Sequence, residues 1–212
     1  MGKITIKHYA NTELKPIIEN GKLKFPLYVQ VIYNRNVYKF KSSNDTFQYI
    51  HENDLTNDII LSLLNNEKLD IERTIKLLFE YDKKLINAKN IATFSKPFDV
   101  IIEENFCKLI AKEVPNAPNF FKTSSFREIS EVLFFLNSYE LEQQSEKIRN
   151  VKMLIGNLGY PSFEYFEKNY IALDFYTGSK FEEIENIINY TFGGHEKDVN
   201  LTIETLREFI NL

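Results

Sequence analysis

The stretch that decides the fold of the first part of the chain is Phe25–Ser42, FPLYVQVIYNRNVYKFKS. Its first half, Leu27–Tyr33, is rich in β-branched and aromatic residues, and Val37–Lys41 alternates again between apolar and polar side chains. The residues between these two runs, 34–36, have the composition of a turn. The pattern therefore predicts a β-hairpin.

A two-residue turn at Arg35 and Asn36 would place Tyr33 opposite Tyr38 and would sort the side chains onto two faces. One face would carry Val29, Val31, Tyr33, Tyr38 and Phe40, and the other would carry Tyr28, Gln30, Ile32, Val37, Lys39 and Lys41. The segment Lys3–Tyr9 alternates with the same period and is predicted as a third strand. Its apolar side would hold Ile4, Ile6 and His8, and its polar side would hold Lys3, Thr5, Lys7 and Tyr9.

The polar face of this predicted sheet points to duplex DNA as a partner. Lysine side chains neutralise phosphates, whereas glutamine and tyrosine side chains reach base edges. The candidate nucleic-acid-binding residues are Lys3, Lys7, Tyr28, Gln30, Arg35, Lys39 and Lys41. A solvated face is the alternative, because antiparallel sheets commonly expose one side to water and lysine on edge strands discourages aggregation.

Charge is unevenly distributed along the 212 residues, whose net charge is −4. Residues 1–50 contain eight basic and three acidic residues, a net charge of +5, so the remainder carries −9. Because the local field decides where a polyanion binds, a basic head on an acidic body is compatible with DNA binding. The asymmetry predicts two modules with different partners.

Beyond residue 46 the apolar residues recur at helical spacing. We expect a helix around residues 55–64, a second helix capped by Asp70, a third over Asp99–Lys112, and further helices from Ser125 onward. The predicted fold class is α+β: residues 1–46 form a small three-stranded antiparallel sheet, and residues 47–212 form a mainly α-helical domain. That domain is either undivided or split into two sub-bundles near residues 114–119, where two prolines and two asparagines occur together.

No catalytic or metal-binding motif stands out. The three histidines and the single Cys107 lack metal-ligand spacing, and no glycine-rich phosphate loop is present. We therefore expect no enzyme activity, no cofactor and no metal. The chain has no apolar run of about 18 residues, so we expect no membrane association, and we expect the protein in the cytoplasm or in a phage particle assembled in a bacterial cytoplasm.

The segment Ile4–Ser42 resembles the arm-type DNA-binding domain at the N-terminus of tyrosine recombinases from phages and conjugative elements. The resemblance rests on ITIKHY at 4–9, NGK at 20–22, PLYVQVIYNR at 26–35 and YKF at 38–40. In that family the three-stranded sheet inserts into the major groove, which implies DNA contacts for Lys3, Lys7, Gln30, Lys39 and Lys41. The catalytic His-x-x-Arg element of recombinases is missing, since the residue three after His195 is Asp198.

Two functions follow as expectations. The first is a non-catalytic DNA-binding accessory protein of a phage or mobile genetic element, in which the sheet contacts duplex DNA. The acidic helical region would then mediate binding to a protein partner or self-association. The second is a structural or assembly protein, for instance a virion component, whose sheet docks on a protein neighbour and binds no nucleic acid.

Overall fold

The computed structural model describes residues 2–44, 46–114, 145–150, 152, 170–177, 182, 183, 186 and 204. The fold is α+β, as predicted, with an antiparallel sheet followed by helices. The chain divides into two compact units, residues 1–96 and residues 97–212.

The sheet of the first unit is organised around one long strand, β3. Its strands are β1 (Ile4–Ala10), β2 (Ile17–Glu19), β3 (Lys22–Tyr33), β4 (Asn36–Lys41) and β5 (Tyr49–Ile50). The other four strands all pair with β3, and each pairing is antiparallel. Strands β1, β3 and β4 are the three that the sequence predicts, while β2 and β5 are short additions.

The turn between β3 and β4 differs from the predicted one. Its two central residues are Asn34 and Arg35, with φ angles of 49° and 66°. Two consecutive positive φ angles define a type I′ turn, whose twist matches that of the flanking strands. Consequently Val31 lies opposite Tyr38 rather than opposite Phe40, and the predicted turn at Arg35 and Asn36 is wrong. The error shifts the register by two residues, so every side chain remains on its predicted face.

A single long helix, α1 (Asp58–Tyr81), replaces the two helices expected between residues 55 and 86. Asn57 caps it, because its side-chain oxygen accepts hydrogen bonds from the backbone N–H groups of Ile59 and Ile60. Asp70 therefore lies inside the helix and is not an N-cap. The helix continues past this point because its buried face continues on both sides of Asp70, with Leu64 before it and Ile71, Ile75 and Leu78 after it.

Helix α1 covers the apolar face of the sheet. Val29, Val31 and Tyr33 of β3 form one buried cluster with helix residues Ile71 and Ile75. Ile91 of the shorter helix α2 (Ala88–Phe94) joins the same cluster. A second cluster, near the start of α1, comprises Ala10, Leu27, Ile50 and Leu64. The sheet and α1 thus share one core, and the compact unit extends past residue 46, where we predicted the first module to end, as far as Lys96.

In the second unit, α3 (Phe98–Glu113) is the helix that the sequence predicts over Asp99–Lys112. A short helix, α4 (Ala172–Tyr176), is also described. Buried apolar residues of this unit include Phe106, Leu109, Ile110, Ile148 and Leu173. Most of the predicted boundary at 114–119, and the helices expected from Ser125, lie outside the described residues. Among the helices that are described, none has both the length and the apolar character needed to cross a membrane.

Candidate nucleic-acid interface

The polar face of β1, β3 and β4 has exposed lysines and half-buried Tyr9, Tyr28 and Gln30, and its side chains form regular rows across the three strands. Lys7, Gln30 and Lys39 form one row, and the row next to it consists of Tyr9, Tyr28 and Lys41. On the other side of the first row lie Thr5, Ile32 and Val37. We call this surface the basic face, and it comprises Lys3, Thr5, Lys7, Tyr9, Tyr28, Gln30, Ile32, Val37, Lys39 and Lys41.

The charges on the basic face are confined to its two borders. Lys3 and Lys7 lie in or directly before β1, and Lys39 and Lys41 lie in β4. All four are exposed, and none has an ion-pair partner among the described residues of the first unit. Within the basic face, β3 contributes the uncharged Tyr28, Gln30 and Ile32, and the face contains no acidic residue. The arrangement is therefore two positive borders that flank a neutral centre.

Aromatic side chains occupy the end of the face nearest Ala10. The rings of Tyr9 and Tyr28 lie 6.1 Å apart with an interplanar angle of 55°. The Lys39 Nζ atom lies 5.9 Å from the centre of the Tyr9 ring, within the range of a cation–π interaction. Burial raises the pKa of the Tyr9 hydroxyl, and the neighbouring Tyr28 and Glu13 raise it further, so the phenol stays a hydrogen-bond donor to a higher pH than an ordinary tyrosine does.

Six of the seven predicted binding residues lie together on this face, and Arg35 does not. Arg35 lies at the exposed tip of the hairpin, in the type I′ turn. Alternation also predicts the polar side for the remaining members of the face, Thr5, Tyr9, Ile32 and Val37, which are not among the candidate binding residues.

A buried polar cluster fastens the sheet to α1 behind the basic face. His8, which lies between Lys7 and Tyr9 in β1, projects to the opposite side of the sheet. Its Nε2–H donates to the Glu67 carboxylate of α1 over 2.7 Å. The Ser42 hydroxyl donates to the same carboxylate over 2.6 Å, and the Ser43 backbone N–H and hydroxyl donate over 2.7 and 3.0 Å. We call this cluster the Glu67 clasp.

The environment of Glu67 keeps its side chain ionised. Burial by itself would raise its pKa, but the hydrogen bonds from His8, Ser42 and Ser43, together with the charge of His8, lower the pKa below its ordinary value. The sequence contains a signal for this cluster. Glu67 falls within the apolar stripe of α1, between Leu64 and Ile71, where a carboxylate needs a buried partner.

Among the described residues, no group of three or more histidine, cysteine, aspartate or glutamate side chains is placed to hold a metal ion. Comparison of the chain with known protein families, with characterised proteins and with solved structures finds no match. The arrangement of the basic face is accordingly the main basis for a functional proposal.

Proposed function

We propose that this protein binds duplex DNA by inserting its basic face into the major groove. The observation that supports the proposal is that the lysines and the uncharged side chains of the basic face lie on different strands. Lysines occupy β1 and β4, whereas Tyr28, Gln30 and Ile32 occupy β3 between them. A major groove has the same order, with a phosphate backbone along each border and base edges on the floor.

The dimensions of the sheet suit this placement. Neighbouring strands lie about 4.8 Å apart, so β1 and β4 are separated by about 10 Å, and the major groove is about 12 Å wide. Lys3 and Lys7 would contact one phosphate backbone, and Lys39 and Lys41 the other. Gln30, in the middle of the central row, is the side chain best placed for base contacts, and glutamine pairs in bidentate fashion with adenine.

We further propose that the protein acts without catalysis, as an accessory factor of a phage or mobile genetic element. The support is the resemblance of Ile4–Ser42 to arm-type domains, together with the missing His-x-x-Arg element. The residues after the sheet carry the acidic excess of the chain, which would repel DNA and suits a surface for protein interaction or self-association.

The salt dependence of DNA binding tests the proposal. Four lysine–phosphate contacts predict a slope of about −3.6 when the logarithm of the association constant is plotted against the logarithm of salt concentration. The slope is measured by fluorescence anisotropy with a labelled duplex between 50 and 200 mM NaCl. The double variant Lys39→Gln, Lys41→Gln should halve the slope to about −1.8, and the charge-reversed Lys39→Glu, Lys41→Glu should abolish binding.

The matched control is Lys76→Gln, Lys84→Gln, which removes the same charge from exposed positions outside the basic face. We expect this variant to bind with the slope of the unmodified protein. Undetectable binding at 50 mM NaCl, or the same loss in both double variants, would contradict the proposal. In that case a protein neighbour would be the partner of the sheet.

A further inference from the structure

Two apolar side chains interrupt the polar character of the basic face. Ile32 and Val37 are direct cross-strand partners in β3 and β4, and they are 38% and 55% exposed. Thr5 completes their row on the other side of Ile32 and contributes one more methyl group. The row therefore presents a methyl-rich surface beside the row of Lys7, Gln30 and Lys39.

The major groove offers one apolar group that such a row can contact. This group is the C5-methyl of thymine, which projects into the groove and is the usual contact of apolar side chains and threonine methyls. Cytosine, adenine and guanine present only hydrogen-bonding groups or a bare ring edge there. An apolar row on a face that enters the groove thus has thymine as its chemical complement.

Gln30 adds a second preference for A·T base pairs, through adenine and not through thymine. Adenine presents N7 and N6–H₂ together, and the glutamine amide pairs with both. Residues two apart on a strand are separated by about 6.6 Å, and base pairs are stacked about 3.4 Å apart. The Gln30 row and the Ile32 row therefore fall within about two base-pair steps of each other.

We infer that Ile32 and Val37 are specificity-determining residues that select thymine by its C5-methyl group, next to an adenine contacted by Gln30. The inference rests on the proposed function, because it applies only if the basic face enters the major groove. The binding sites of this protein would then be rich in A·T pairs.

Replacement of thymidine by deoxyuridine tests the inference, because it removes only the C5-methyl group and leaves base pairing intact. The probes are a 24-base-pair duplex of alternating adenine and thymine, and the same duplex with every thymine replaced by uracil. Binding is measured by anisotropy at 50 mM NaCl. We expect the unmodified protein to bind the thymine duplex tighter by about fourfold for each methyl group that it buries.

Three variants show whether Ile32 and Val37 cause the discrimination. Ile32→Ser, Val37→Ser should bind both duplexes equally. Val37→Thr keeps a β-branched side chain and one methyl group, so it should lower the thymine-to-uracil ratio by less than the double variant does. The matched control is Ile59→Ser, Leu63→Ser. It removes two exposed apolar side chains from α1, which packs on the other side of the sheet, and should leave the ratio unchanged.

Different outcomes of these measurements would refute the thymine contact and the proposed DNA binding. Equal binding of the two duplexes by the unmodified protein, with the expected salt dependence, would refute the thymine contact and leave DNA binding in place. A ratio that persists in Ile32→Ser, Val37→Ser would likewise refute it. If neither duplex binds, the proposed function fails and the inference fails with it.

Discussion

Replacing Glu67 with leucine should destabilise the first unit far more than removing a surface ion pair of α1 does. The substitution places an apolar side chain of similar size in the buried site but removes the acceptor of four hydrogen bonds. The Nε2 of His8, the hydroxyl of Ser42 and the backbone N–H of Ser43 would all lose their partner. Buried polar groups without a partner cost far more than the net value of the bond that is lost.

The size of the expected loss in stability follows from the burial of His8 and Glu67. The side chains of His8 and Glu67 are 1% and 7% exposed, so water cannot replace the missing carboxylate. A buried donor that loses its acceptor costs about 1 to 3 kcal/mol, so the three donors from His8, Ser42 and Ser43 together predict a loss of at least about 3 kcal/mol. Since a domain of this kind is stable by only about 5 to 15 kcal/mol, the variant should remain folded but should open much more often.

Hydrogen exchange measures this opening within the first unit, without requiring the whole chain to unfold in one step. We expect the amides of β1 that bond to β3 to exchange at least about a hundredfold faster in Glu67→Leu, because a tenfold change corresponds to 1.36 kcal/mol. The control is Glu72→Leu, five residues further along α1. Glu72 pairs with Lys76 at the surface, and such pairs contribute at most about 0.5 kcal/mol.

Similar exchange rates in the two variants would refute the reasoning. They would mean that the hydrogen bonds of the clasp contribute no more than a surface ion pair, and that apolar packing alone holds β1 against α1.

Three further predictions follow from the described residues. The pKa of Glu67 is lowered on folding, so its contribution to stability is complete above the ordinary glutamate pKa of about 4.3 and is lost as pH falls through the lower folded value. The difference in urea stability between the unmodified protein and Glu67→Leu should therefore shrink from pH 6 to pH 3, and a constant difference would be inconsistent with an ionised clasp. Arg35→Gly should stabilise the β3–β4 hairpin by about 0.5 to 1 kcal/mol, because glycine adopts the φ of 66° without strain; a lower urea midpoint would argue against the type I′ turn. Gly21→Ala should destabilise the β2–β3 hairpin by about 1 kcal/mol through its φ of 72° alone, since an added Cβ would meet no atom within 4 Å. Unchanged amide exchange over residues 17–24 would count against that reasoning.

In the β3–β4 hairpin, the sequence predicts the two faces correctly but not the turn residues. Alternation with a period of two placed Gln30 and Lys39 on one face and Val29 and Val31 on the other, and the structure agrees. The choice of turn residues was wrong because Asn34 and Asn36 are both compatible with positive φ, so composition does not distinguish the two turns. In the observed register the Ser42 N–H donates to the Leu27 carbonyl, and the Ser42 hydroxyl donates to Glu67.

Helix α1 shows a second feature that the sequence alone does not fix, namely where the helix begins. The apolar stripe of α1 was readable in the sequence, but Asp70 resembled a helix start because aspartate is a common N-cap. Whether the helix continues past Asp70 depends on the sheet, whose buried surface extends far enough to pack against Ile71 and Ile75 in one continuous helix.

The sequence by itself determined which side chains share a face of the sheet, because that assignment depends only on the two-residue period of a strand and survives a register shift of two. It also determined the positive charge of the exposed face. Tertiary structure alone decided that α1 covers the apolar side, and that His8 meets Glu67 across 59 positions of the chain. The physical reason is that burial and long-range hydrogen bonds depend on which surfaces meet in space, whereas local periodicity records only the direction of each side chain relative to its own strand or helix.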